Sequence, residues 1–225
     1  DFFVKVTHRA KSDYQAFWTS IKQLRRKKHA IYLKDIPFSD LKVFDKVLAS
    51  IPNDSILQLS NSSTVRYAQL FNLNKTLKVF CNRGTSGIDG STSTAIGAAV
   101  ASSNQTVFIT GDLSFFYDSN ALWNAHIPVS FRIILVNNSG GGIFKIIPGP
   151  STTNAAKYFE TPHCLTAEHL SKMYGFEYQK SFSTRTTKEQ LADFYKVSEK
   201  PKILEIFTPS LENDLVLKTY FKYIQ

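Results

Sequence analysis

The sequence predicts a doubly wound α/β fold, a parallel sheet with helices on both faces. Short apolar runs such as Thr106-Val107-Phe108-Ile109-Thr110 and Phe131-Arg132-Ile133-Ile134-Leu135-Val136 have the length and composition of buried strands. Segments with helical periodicity separate such runs along the chain. With 225 residues, 43% of them hydrophobic, the chain can bury one sizeable core.

Phe2 to Thr7 alternates like a strand. Tyr14 to Lys28 follows as a helix, with Phe17, Trp18, Ile21 and Leu24 on one face. Arg25-Arg26-Lys27-Lys28 ends it, where basic charge suits the helix dipole. Ala30 to Leu33 reads as a short strand, and Pro37 opens a helix from Ser39 to Ile51. Pro52-Asn53-Asp54 turns the chain into a strand from Ser55 to Leu59. Ser60-Asn61-Ser62-Ser63 can cap a helix through Leu70. Leu77 to Phe80 is a further strand, and a glycine-rich loop then leads into a small-residue helix from Ser91 to Ala101. The two strands named above come next, with room for a helix from Asn120 to His126 that Pro128 can end. After Pro148-Gly149-Pro150 a polar loop runs to about Pro162. Thr166 to Tyr174 reads as a helix and Phe176 to Gln179 as a strand. A helix from Thr187 to Val197, capped by Thr186 or Thr187, precedes the last buried strand, Lys202 to Phe207.

The totals narrow the function. No apolar run approaches the length of a membrane span. The start, Asp1-Phe2-Phe3-Val4-Lys5-Val6, is not a signal peptide, and the sole methionine is Met173. The chain therefore reads as a piece of a longer protein. Cys81 and Cys164 match no metal spacing and read as buried or idle thiols in a reducing cytosol. The histidines (His8, His29, His126, His163 and His169) form no close i,i+4 ligand pair, and surface or capping roles suit His163 and His169. The net charge of +9 fits anionic metabolites as partners. Without an aromatic-interleaved or groove-reading element it does not make a nucleic-acid binder.

A split motif carries the chemistry. Gly111-Asp112 follows one apolar strand, and Asn137-Asn138-Ser139-Gly140-Gly141 follows the next. The residues between Asp112 and Asn137 (113 to 136) suffice for one helix and one strand. A right-handed crossover places both strands parallel, with Asp112 and Asn138 on one rim, where ligands of open α/β sheets bind. A carboxylate, an amide oxygen and a backbone carbonyl beside glycines are hard ligands suited to Mg²⁺ with phosphate oxygens. Taken singly, Gly-Asp is also a helix-capping turn and the Asn-Gly string an ordinary left-handed turn.

Gly84 to Gly90 can present a helix amino end to an anion, whereas Ala95, Gly97, Ala98 and Ala99 read rather as tight helix packing. Arg83 and Arg66 can reach the same rim and grip a carboxylate or phosphate, or form surface ion pairs. Beyond Gly140, the residues Gly142, Ile143, Phe144, Ile146 and Ile147 make either a hydrophobic wall or a core segment.

Four stretches, Asn61-Ser62-Ser63-Thr64-Val65-Arg66, Asn82-Arg83-Gly84-Thr85-Ser86-Gly87-Ile88-Asp89-Gly90, Gly111-Asp112-Leu113-Ser114 with Tyr117-Asp118 and Asn120-Ala121-Leu122, and Asn137 to Gly141 with Ile143-Phe144, together resemble the SEPHCHC synthases, thiamine-diphosphate enzymes of menaquinone biosynthesis. The resemblance runs from about Ile31 to the end. It implies the thiamine-diphosphate-binding fold, with residues 31–225 as the diphosphate-side domain and 1–30 as the tail of a preceding middle domain and linker helix.

The resemblance further implies thiamine diphosphate with Mg²⁺ or Mn²⁺ as cofactors, and a cytoplasmic enzyme joining 2-oxoglutarate, with loss of CO₂, to isochorismate. Asp112, Asn138 and the Gly140 carbonyl would hold the metal. Gly111, Leu113, Ser114, Gly141 and Ile88 would complete the cofactor site, Ile88 as the wedge that bends the cofactor. Arg66, Arg83 and Ser62 would bind substrate carboxylates, and Ile143, Phe144 and Ile147 would wall the pocket. Ser139 and Gly142 depart from the family pattern, where a third Asn and a larger polar residue are common. The glutamate that activates the cofactor pyrimidine belongs to an amino-terminal domain, supplied by a neighbouring subunit of a homodimer or homotetramer. The piece is therefore expected to be inactive alone. An acetolactate-synthase-like enzyme shares the metal motif without needing the two arginines, and a non-catalytic anion-binding or assembly module is the reading outside enzymes.

Overall fold

The computed structural model describes residues 13–147, 149 and 152–225. The strand expected at Phe2 to Thr7 lies outside these. Among the described residues six strands form one parallel sheet in the order β2-β1-β3-β4-β6-β5. They are β1 (Ile56–Leu59), β2 (Lys78–Cys81), β3 (Thr106–Gly111), β4 (Arg132–Asn137), β5 (Glu177–Ser181) and β6 (Lys202–Phe207). The central strands β1, β3, β4 and β6 are buried almost throughout, as parallel strands covered on both faces must be. Alternation along them feeds two cores. Val107, Ile109, Ile134, Val136, Leu204 and Ile206 face one helical layer. Phe108, Ile133, Leu135 and Ile203 face the other.

The first layer holds α1 (Tyr14–Asp35), α2 (Asp40–Ser50), α3 (Ser63–Ala68), α8 (Thr184–Phe194) and α9 (Asn213–Ile224). The second holds α4 (Ser91–Val100), α5 (Asp112–Tyr117), a 3₁₀ turn at Ser119–Leu122 and the segment leading into α7 (Glu168–Met173). The short α6 (Ala155–Glu160) lies against a 3₁₀ turn at Gly142–Lys145, with Phe159 stacked on Phe144.

Five local expectations are corrected. Ala30 to Leu33 is no strand, because α1 runs unbroken to Asp35. Tyr32 Oη donates to the Val216 carbonyl at 2.8 Å, and Lys42 Nζ caps the Leu33 carbonyl, which together hold those residues helical. The crossover helix begins at Asp112 rather than Asn120, with only a 3₁₀ turn over Ser119–Leu122. The polar loop before Pro162 contains α6. The cap of α8 is Ser183, whose hydroxyl accepts from Thr186 N, so Thr186 is the reciprocal partner in a capping box. The chain after Phe207 forms α9, burying Val216, Leu217 and Tyr220, where the sequence reading assigned no element.

The topology positions the site. After β1 the chain crosses to β2 on one side, and after β3 it crosses to β4 on the other. The carboxyl ends of β1 and β3 therefore flank a crevice at a topological switch point.

Candidate functional site

Gly111 ends β3 extended, and Asp112 opens α5 on the rim. The Asp112 carboxylate is buried and acts as the hub. Its Oδ1 accepts from Leu113 N at 2.7 Å, and its Oδ2 accepts from Asn138 N at 3.1 Å and Gly140 N at 3.0 Å. A carboxylate has about four lone-pair positions, so three backbone donors leave one for a cation.

The second half of the motif folds over it. Asn137 Oδ1 accepts from Ser139 N at 3.0 Å, an Asx turn that sets Ser139 at φ 65°. Gly140 has φ 149°, and a Cβ there would lie 2.5 Å from the Glu160 carbonyl oxygen, so only glycine fits. Gly141 N donates to that same carbonyl at 2.6 Å.

Asn138 faces two ways. Its Nδ2 donates to Asp40 Oδ2 at 2.9 Å. Its Oδ1 is buried with no hydrogen-bond partner among the described residues. Asp112, Asn138 and Gly140 line one cavity, and the Gly140 carbonyl accepts from Gly142 N at 3.0 Å, which leaves it a second lone pair. An orphaned amide oxygen, a carboxylate with a spare lone pair and that carbonyl are oxygen donors of the kind a hard divalent cation takes. Among the described residues no cluster of three or more His, Cys, Asp or Glu could hold a metal ion. A cation here would therefore use mixed oxygen ligands.

Three side chains support the motif, two of them, Asp40 and Glu205, carrying no local signal in the sequence. Asp40, on α2, receives Thr208 Oγ1–H at 2.6 Å as well as the Asn138 amide. Burial raises its pKa to about 6, against the opposing pull of the Thr208 and Asn138 hydrogen bonds. Glu205, wholly buried on β6, accepts from Asn137 Nδ2 (2.8 Å), Thr166 Oγ1 (2.8 Å), Ala167 N (3.0 Å) and Tyr178 Oη (2.6 Å). It fixes the strand end from which the motif springs. For His163 the sequence suggests a surface or capping role; the residue is half-buried, and its ring bonds a nearby backbone amide. Its Nδ1 accepts from Leu165 N at 3.1 Å, and its Nε2 lies 3.3 Å from Asp112 Oδ2, off hydrogen-bonding alignment. The neighbouring Cys164 is exposed and Cys81 half-buried, and both are free thiols.

Around this hub lies a cavity of about 400 Å³. Ser62, Ile88, Gly111, Asp112, Leu113, Ser114, Asn138, Gly140, Gly141, Ile143 and Phe144 all line it. Ser114 Oγ donates to the Ile88 carbonyl at 2.7 Å and pins that loop to α5. Arg66 and Ile147 line an adjoining cavity of about 350 Å³ that shares Ser63 and Ile143 with the first. Arg83 lines neither. Its Nη1 donates to Asn61 Oδ1 at 2.9 Å, and Asn61 Nδ2 in turn holds the Ser86 and Gly87 carbonyls. The second motif aspartate, Asp118, caps α4 by accepting from Ser93 N and Ser93 Oγ, both at 2.8 Å.

The sequence model for "Thiamine pyrophosphate enzyme, C-terminal TPP binding domain" matches residues 61–206. A 2-succinyl-5-enolpyruvyl-6-hydroxy-3-cyclohexene-1-carboxylate synthase from Flavobacterium johnsoniae is 55% identical over 99% of this chain and 41% of its own length. Proteins of the same name from Christiangramia forsetii and Porphyromonas gingivalis are 54% and 41% identical, over 91% and 94% of this chain and 36% and 37% of theirs. The chain thus spans about two fifths of the length of these curated relatives.

Proposed function

The chain belongs to the thiamine pyrophosphate enzymes through their C-terminal TPP-binding domain, and on that premise we propose that it is the diphosphate-side domain of a 2-succinyl-5-enolpyruvyl-6-hydroxy-3-cyclohexene-1-carboxylate synthase. The reaction is the decarboxylative addition of 2-oxoglutarate to isochorismate. The observation that carries the reading is the orphaned Asn138 Oδ1 in a loop whose Asn138 and Gly140 amides clasp the Asp112 carboxylate, all three residues lining one cavity. Its supports are the names and identities of the relatives.

In this reading Asp112, Asn138 and the Gly140 carbonyl hold Mg²⁺ or Mn²⁺, which neutralises the diphosphate. Gly111, Leu113, Ser114 and Gly141 line that end, and Ile88 supports the cofactor rings. Bound thiamine diphosphate supplies the carbon nucleophile and the electron sink for decarboxylation. The chain supplies orientation and charge. Arg66 and Arg83 take substrate carboxylates with Ser62 beside them, Arg83 on leaving Asn61. Ile143, Phe144 and Ile147 exclude water from the reacting end. Residues 31–225 form this domain, and residues 1–30 are the tail of a middle domain and linker helix. The whole enzyme works in the cytoplasm as a homodimer or homotetramer, with the pyrimidine-activating glutamate on a neighbouring subunit. Residues 1–225 alone are then inactive.

The test follows isochorismate absorbance with the full natural polypeptide that carries this sequence. Consumption that requires 2-oxoglutarate, thiamine diphosphate and Mg²⁺ together, and collapses in Arg83→Ala, is the expected result. Retained cofactor binding with no isochorismate consumption moves the substrate assignment to an acetolactate-synthase-like enzyme.

A further inference from the structure

The Asn138 side chain can bind a cation only through one of its two ends. Its amide is planar, with an acceptor on one side and two donors on the other, and rotation by half a turn exchanges them. Turned the wrong way, it would aim Nδ2–H at the metal. Something in the chain must decide the orientation. That group is Asp40, whose Oδ2 lies 2.9 Å from Asn138 Nδ2 and 98 residues away in sequence. Asp40 is 3% exposed and lines no part of the cavity that Asp112, Asn138 and Gly140 line.

Its own geometry is over-determined. Thr208 Oγ1 donates to Asp40 Oδ1 at 2.6 Å, and Asp40 N donates to Asn213 Oδ1 at 2.7 Å. The carboxylate is thus held between the β6–α9 loop and the metal motif. Burying a carboxylate without a cation beside it costs stability, so packing alone does not account for it. An ionised carboxylate differs from an amide of the same shape in being acceptor-only. Facing Asp40, Asn138 has one satisfactory orientation, with Nδ2 inward and Oδ1 toward the cavity. An asparagine at position 40 would remove the choice. With its oxygen kept on the Thr208 hydroxyl, its own Nδ2–H would face Asn138 and draw Oδ1 away from the site.

We propose that Asp40 is a positioning residue for the metal, a buried acceptor that fixes which end of the Asn138 amide faces the cation. The proposal rests on the reading of Asn138 as a metal ligand. It assigns to α2, an element outside the motif, the polarity of one ligand within it.

The test uses the full natural polypeptide, thiamine diphosphate and Mn²⁺, with free Mn²⁺ counted by its paramagnetic resonance signal. Asp40→Asn preserves shape and the acceptor for Thr208 but turns the acceptor facing Asn138 into a donor, so the metal affinity reads the polarity of that one contact. The expected result is roughly a tenfold or greater rise in the Mn²⁺ concentration giving half-saturation, in the range for lost outer-shell partners. The exchange Asp40→Asn with Asn138→Asp should recover wild-type uptake, because a carboxylate at 138 offers oxygen in either orientation. Asp40→Asn that melts like wild type and binds Mn²⁺ with wild-type affinity overturns the proposal, as does an exchange that recovers nothing while remaining folded. Wild-type protein that takes up no Mn²⁺ with thiamine diphosphate overturns the underlying metal reading instead.

Discussion

Asp112 illustrates how a single side chain serves fold and site together. Its two oxygens gather the amides of Leu113, in the first turn of α5, and of Asn138 and Gly140, in the loop after β4. Asp112→Ala strands all three donors, and buried unpaired groups cost about 1–3 kcal/mol each before relaxation. We expect a net loss of about 2–4 kcal/mol in urea denaturation of the cofactor-free protein, given partial rehydration. Calorimetric titration of the same variant should show no metal-dependent uptake of thiamine diphosphate. Gly140→Ala tests a different constraint. Its φ of 149° and the Glu160 carbonyl 2.5 Å from the added Cβ leave no room to adjust. A loss of about 2 kcal/mol or more is expected by thermal denaturation, with weakened metal binding, since the loop must open to admit the methyl group.

Single elements are anchored by polar groups that periodicity does not reveal. Arg132 enters the buried core on β4 and gives its guanidinium to the carbonyls of Phe194, Lys196, Val129 and Phe131, closing the end of α8. Arg132→Met keeps the apolar stem but leaves those carbonyls unmatched. A loss of about 3 kcal/mol in urea denaturation is expected. On α1, His29 Nδ1 lies 2.9 Å from Tyr220 Oη on α9, with Phe71 against its ring. Burial lowers its pKa from the ordinary 6.5, with Asp45 opposing. The unfolded chain then takes up a proton more readily than the folded one, so stability is held above pH 6.5 and lost as the pH falls below it. His29→Gln should flatten that acid limb in melting temperatures measured between pH 5 and 7.

The same elements show what the sequence made legible. The strands stood out because both faces of a parallel sheet are covered, leaving unbroken apolar runs such as Ile133 to Val136. The motif stood out because its halves directly follow two such strands. Ala30 to Leu33 was misread because a short apolar run carries no period, and its helical state comes from contacts with α9 and Lys42. Asp40 and Glu205 were silent for the same reason, since each reaches the motif across a long stretch of chain. His163 suggests no more than a surface or capping role in the sequence, because nothing local announces its approach to Asp112.

At the scale of the whole molecule, the amino-terminal half of α1 stands apart from the two cores. Tyr14, Phe17, Trp18 and Leu24 are 74%, 60%, 47% and 53% exposed there, beside Arg25-Arg26-Lys27-Lys28. An aromatic face of this kind drives association when left in water. Purified residues 1–225 should therefore self-associate in light scattering at tens of micromolar, and Phe17→Asp with Trp18→Asp should raise the monomer fraction without changing the melting temperature. The strand order carries a consequence in time. Among the described residues β5 pairs only with β6, and β6 in turn bridges β5 to β4. During synthesis, the segment that becomes β5 emerges before the strand it must lie beside, and waits, edge unpaired, until residues 202–207 have cleared the ribosome. Nascent chains stalled before that point would present an open sheet edge at β4, a template for wrong pairing that chaperones guard against.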